Sequence, residues 1–76
     1  MISETQIRDV LYKVTRSKDV YEWPSEYDFS LDSLDSLDYS TMALIIDEKY
    51  NIKISDKDLP ELKSIKLVID YLTNTK

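Results

Sequence analysis

The chain has 76 residues, with 10 Lys and Arg against 15 Asp and Glu, a formal net charge of −5, and no cysteine, histidine or glycine. A chain this short holds one domain with a thin core. The missing residue types exclude disulfides, Cys/His metal sites, glycine-rich phosphate loops and the commonest nucleophile and acid–base side chains, so helix packing must stabilise the fold and a self-sufficient enzyme is not expected.

The first predicted element is a helix over about residues 3–16. Ser3 and Gln6 have the spacing of a capping box, and Ile7, Val10, Leu11 and Val14 recur at i, i+3, i+4 and i+7 as one apolar stripe. Residues 17–35 show no sustained period. Pro24 interrupts them, and Trp23, Tyr27, Phe29 and Leu31 are scattered apolar anchors, with Trp23 and Phe29 expected to pack beneath this long connection. A second helix is predicted from Asp35, an N-cap, to about Tyr50, with Asp38 placed to complement the helix dipole and Asn51 as the stop. Leu37, Met42, Leu44, Ile45, Ile46 and Tyr50 give this helix a broad apolar face.

Residues 51–55 alternate through Ile52 and Ile54, too briefly for a sheet, and are expected to be an extended loop that plugs the core. Asp56 is expected to cap a short helical turn ending near Pro60. Ser64 then caps a last helix whose Ile65, Val68, Ile69 and Leu72 keep core spacing, with Leu67 and Tyr71 widening the face. The fold class expected is all-α.

Charge is concentrated in the middle of the chain: residues 31–58 carry seven acids against three bases. Such a field repels nucleic acid and anionic membrane and steers the protein towards basic partner surfaces. No apolar run is long enough for a membrane span, and no signal-peptide layout opens the chain. A cytoplasmic monomer is the expectation.

Residues 30–38 read Ser-Leu-Asp three times, ending in Ser36-Leu37-Asp38. A calcium loop does not fit, because Asp32, Asp35 and Asp38 are spaced by three rather than two and the required glycine is missing. Serine catalysis does not fit either, since no histidine is present to activate the hydroxyl. A polar loop running into a capped helix, or a phosphoryl-accepting serine, remain open readings.

Asp35-Ser36-Leu37-Asp38 at the head of an apolar helix resembles the Asp-Ser-Leu signature of acyl carrier proteins. The likeness continues through Asp47, Glu48 and Tyr50, Ile54, the Asp56 and Asp58 turn, the Ser64-Ile65 helix start and Ile69-Asp70-Tyr71-Leu72. It implies a four-helix bundle of acyl-carrier type over residues 1–76, three helices long and one short, with a long loop between helices one and two. It also implies a non-catalytic carrier, on which a phosphopantetheinyl transferase joins 4′-phosphopantetheine from coenzyme A to Ser36, flanked by Asp35 and Leu37. The arm's thiol would then hold acyl groups as thioesters for enzymes of fatty-acid, polyketide or a dedicated secondary pathway. Register favours Ser36 over Ser33, because it sets Leu37, Met42, Ile46, Tyr50 and Ile54 on the family's core positions.

For partner docking the resemblance implies an acidic surface of Asp35, Asp38, Asp47, Glu48, Asp56 and Asp58, with Leu44 as an exposed apolar contact, meeting basic patches on loading, condensing or acyl-transfer enzymes. Each acid is equally readable as a solvated helix face. Met42, Ile46, Ile54, Leu59 and Leu62 are expected to line an interior that shelters cargo. The chain departs from the family pattern in several places. Ser33 stands at the usual glycine and Asp32 at the leucine before it; Ser40 and Thr41 stand at a branched apolar residue and a glutamate, and Lys49 interrupts the acids. Two other readings are an aminoacyl or peptidyl carrier of a nonribosomal pathway, and a helical adaptor with no prosthetic group, on which Ser36 is only a cap.

Overall fold

The structure is a computed structural model and describes residues 2–31 and 34–74. It is all-helical: α1 (Glu4–Thr15), α2 (Ser36–Tyr50) and α3 (Ile65–Asn74), with 3₁₀ turns at Lys18–Tyr21 and Leu59–Glu61 and no strand among the described residues. None of these helices is long and apolar enough to cross a membrane.

The capping box predicted for α1 is present. Ser3 N–H donates to Gln6 Oε1 (2.8 Å) and Gln6 N–H donates to Ser3 Oγ (3.4 Å). Ile7, Val10 and Leu11 are fully buried, which makes α1 the element that packs against both α2 and α3. The helix stops at Arg16, whose φ of 61° places it in the left-handed region usually given to glycine.

The long connection is held from several sides. Arg8 on α1 donates from Nη1 to the carbonyls of Val20 (2.8 Å) and Trp23 (2.7 Å). Trp23 packs on Tyr27 and Phe29, with ring centroids 4.9 and 5.8 Å away. Phe29 is fully buried, as expected, whereas Trp23 is half-buried. Phe29 N–H donates to Lys63 O (2.9 Å) and Lys66 N–H to Ser25 O (2.9 Å), tying the loop to the start of α3.

Two expectations are corrected. The short helical turn expected from Asp56 to near Pro60 is a 3₁₀ turn, Leu59–Glu61, so the described α-helices number three and the fourth helix of the expected bundle is represented by this turn alone. It is approached through Ser55 rather than Asp56: Lys57 N–H donates to Ser55 Oγ (3.2 Å), and Asp58 and Leu59 N–H donate to Ser55 O (3.0 and 3.1 Å). Pro60 lacks the N–H that would continue α-type bonding. The second correction concerns Leu37, expected in the core, which is 73% exposed. The inward stripe of α2 is Tyr39, Met42 and Ile46, and at 3.6 residues per turn position 37 lies about 200° round the helix from position 39.

Residues 51–58 run without regular structure and bury Ile54, as the plug reading expects. Ser64 caps α3, its Oγ accepting from Leu67 N–H (3.2 Å), and Ile65, Val68 and Leu72 complete the core.

A candidate attachment site at the start of α2

Local sequence fixes where α2 begins. Asp38 N–H donates to Asp35 Oδ1 (2.9 Å), and Asp35 N–H donates to Asp38 Oδ2 (3.4 Å). The two aspartates form a reciprocal cap, so Asp38 does more than complement the dipole. Ser36 is thereby the first helical residue, and it is exposed. Among the described residues, nothing accepts from the backbone N–H of Ser36 or Leu37, which leaves two donors at the positive end of the helix. Ser33, the alternative serine, lies outside the described residues, as does Asp32.

Beside Ser36 opens a cleft of about 540 Å³. Leu34, Tyr39, Leu59 and Pro60 form its apolar walls, and Ser30, Asp35, Ser36, Ser40 and Asp56 its polar rim. The volume lies within the range of small-molecule sites. Of the five residues expected to line a cargo interior, Leu59 lines this cleft. Met42 and Ile46 are fully buried, and Ile54 and Leu62 are also core residues away from it.

Tyr39 is the residue that sequence reasoning missed. It is 8% exposed, and its hydroxyl donates to the carbonyl of Leu62 (3.0 Å). Its ring stands 6.1 Å from that of Phe29. Burial pushes its hydroxyl up to about 12, helped by the charge of Asp28 and partly offset by the polar side chain of Ser30. The signal was available: Tyr39, Met42 and Ile46 keep the i, i+3, i+7 spacing of one helix face.

The remaining predicted residues fall into two groups. Asp35, Ser36 and Asp56 meet around the cleft. Leu44, Asp47 and Glu48 lie two or more turns further along α2, with Leu44 58% exposed, Asp47 half-buried and Glu48 exposed. Asp58 is partly withdrawn from the acidic surface, because its Oδ2 accepts from the Tyr71 hydroxyl (2.9 Å).

No family model matches the chain, and no solved structure matches it. Over 42 residues it is 40% identical to the acyl carrier protein of Buchnera aphidicola subsp. Schizaphis graminum (strain Sg), a stretch that covers 55% of this chain and 53% of that protein. The chain thus spans about half the length of this curated relative. Through that half, the chain resembles an acyl carrier protein, the family to which the Asp35-Ser36-Leu37-Asp38 run also points.

Proposed function

We propose that this chain is a non-catalytic acyl carrier, modified at Ser36 by a phosphopantetheinyl transferase that draws 4′-phosphopantetheine from coenzyme A. The observation that carries the reading is the exposed Ser36, first residue of a doubly capped α2, beside a cleft with apolar walls. The residues present fit the group. The hydroxyl is accessible to a modifying enzyme, and the N–H groups of Ser36 and Leu37 lie where an anionic phosphodiester gains about 0.3–1 kcal/mol from the helix terminus. When attached, the arm supplies the thiol that a cysteine-free chain lacks.

The chain's own residues then have three tasks. Asp35 and Asp38 hold the helix start, so that Ser36 keeps one orientation. Leu34, Tyr39, Leu59 and Pro60 keep water from an apolar group that folds back beside the attachment point. Leu37 and Leu44 present apolar contacts to partners, and Asp38, Asp47, Glu48 and Asp56 offer negative charge to basic patches on enzymes that load or unload the cargo. On this reading residues 1–76 form one acyl-carrier domain, working as a cytoplasmic monomer. The Leu59–Glu61 turn then stands where the family carries its short third helix. The partner enzymes belong to fatty-acid, polyketide or a dedicated secondary pathway.

Intact mass after incubation with coenzyme A and a broad-specificity phosphopantetheinyl transferase tests the assignment. One arm is expected on the parent and on Ser33→Ala, and none on Ser36→Ala. An unmodified parent, beside a control carrier that is modified, would favour an adaptor with no prosthetic group.

A further inference from the structure

The polar side chains lining the cleft beside Ser36 share one hydrogen-bonding character. Ser40 Oγ donates to the carbonyl of Ser36 (3.2 Å), the Ser30 hydroxyl donates to Asp28, and the Tyr39 hydroxyl donates to Leu62 O. All three hydroxyl protons are committed within the protein, so what Ser30 and Ser40 offer the cleft is oxygen lone pairs. Asp35 and Asp56 are carboxylates, which only accept; Asp35 already holds Asp38 N–H, whereas Asp56 takes no part in the cap of α2. Once Ser36 is esterified, its own hydroxyl proton is gone as well. The rim is then a set of acceptors beside apolar walls, and the group that fits it brings N–H or O–H donors together with apolar surface. A plain hydrocarbon chain fits it poorly, because it shields these oxygens from water and gives them no donor in return.

We propose that the cleft binds the pantetheine arm itself, with the arm's amide N–H groups donating to Asp56, Ser40 and Ser30 and its methyl and methylene groups lying on Leu34, Leu59 and Pro60. The inference rests on the carrier reading and adds to it a resting place for the arm and the residues that hold it there between partners. Attachment decides between arm and cargo as the occupant. Ser36 itself lines the cleft, so the stretch of the prosthetic group nearest its oxygen starts beside the cleft, whereas cargo sits at the far, thiol end. The phosphodiester that opens this stretch suits the N–H groups of Ser36 and Leu37, from which nothing accepts among the described residues. The site therefore offers N–H groups for the phosphate and oxygens for the amides that follow it.

The test attaches an arm isotopically labelled at its amide nitrogens to the full chain, from labelled coenzyme A and excess transferase, with completion checked by intact mass. The readout is the NMR order parameter of the arm amides. In the parent these are expected above about 0.6, the level below which a group counts as flexible. Asp56→Ala is expected to bring them below about 0.6, and Ser40→Ala, which keeps every charge, to lower them by a smaller amount. Asp70→Ala removes an exposed acid that does not line the cleft, and is expected to leave the arm as in the parent. Cross-relaxation from the arm's methyl groups to Leu59 should accompany the high values and vanish with them. Amides that are mobile in the parent, or unmoved by Asp56→Ala, overturn the inference and leave the carrier reading intact. Amides that become ordered only when the arm bears a β-alanyl thioester assign the donor to an amino group of the cargo, and overturn it too. Failure of the parent to gain any arm overturns both readings.

Discussion

The guanidinium of Arg8 bonds the carbonyls of Val20 and Trp23 and also reaches Glu4 Oε1 (3.0 Å). The two carbonyl contacts cross from α1 to a connection that lacks regular helical bonds over much of its length, so Arg8 works as a clamp on that loop. Arg8→Ala should cost about 1.5–3 kcal/mol, the range for hydrogen bonds to a charged group, read as a lower urea midpoint at unchanged m-value. Glu4→Ala should cost under about 0.5 kcal/mol, because an exposed i, i+4 pair contributes little. A larger loss on Glu4→Ala than on Arg8→Ala would contradict the clamp.

Tyr39 supplies a pH signature. Burial pushes its hydroxyl from the ordinary value of 10.0 up to about 12, so the folded state holds its proton more tightly. The stability this contributes is fully present below pH 10.0 and is lost as pH rises towards about 12. Lysines titrate over the same window, so the comparison with Tyr39→Phe decides. The phenylalanine variant should lose less stability than the parent across this window, although it starts about 1 kcal/mol lower for want of the Leu62 bond. Parallel stability curves would show that the proton of Tyr39 is not linked to folding.

At the scale of elements, a chain without glycine must turn its helix ends with other residues. Arg16 and Asn51 do so at φ 61° and 58°. Asparagine enters the left-handed region more easily than most residues, whereas a residue with an ordinary β-carbon bears about 1–2 kcal/mol of strain there. Arg16→Gly should therefore raise thermal stability by about 1 kcal/mol, and Asn51→Ala should lower it by a similar amount. Calorimetry of the two variants checks both signs. The start of α2 depends on side chains instead: Asp35→Ala removes the acceptor for Asp38 N–H and should cost about 1 kcal/mol.

These caps could be read in advance because each is a matter of three or four neighbouring residues. Ser3 with Gln6, Asp35 as the start of α2, Ser64 and Asn51 were all legible in that way. The inward face of α2 was harder. Leu37, Ala43, Leu44 and Ile45 surround the helix with apolar side chains, so the pattern alone left the buried stripe ambiguous and put Leu37 in the core in place of Tyr39. The expected short helix before Pro60 shrank to a 3₁₀ turn for a local reason that was visible: proline has no N–H to give.

At the scale of the molecule, charge and the packed core answer different questions. The acids of residues 31–58 dominate the net charge of −5, so on the proposed carrier reading association with a basic transferase surface should slow as salt rises. Replacing Asp38, Asp47 and Glu48 together by their amides should slow arm transfer to Ser36 by about tenfold at low ionic strength and much less in high salt, measured as the initial rate of mass gain. Loss of rate independent of salt would point instead to damage at the start of α2.

Composition, periodicity and caps were enough to establish an all-helical chain, the position of each long helix and the place of Ser36 at the head of α2, because these follow from neighbours within one or two turns. The cleft and the clamping of the long connection depend on contacts such as Tyr39 with Leu62 and Phe29 with Lys63, whose partners are far apart along the chain. No local pattern specifies which distant carbonyl a hydroxyl or an N–H will meet. That choice is made only when the helices pack and each buried polar group must find a partner.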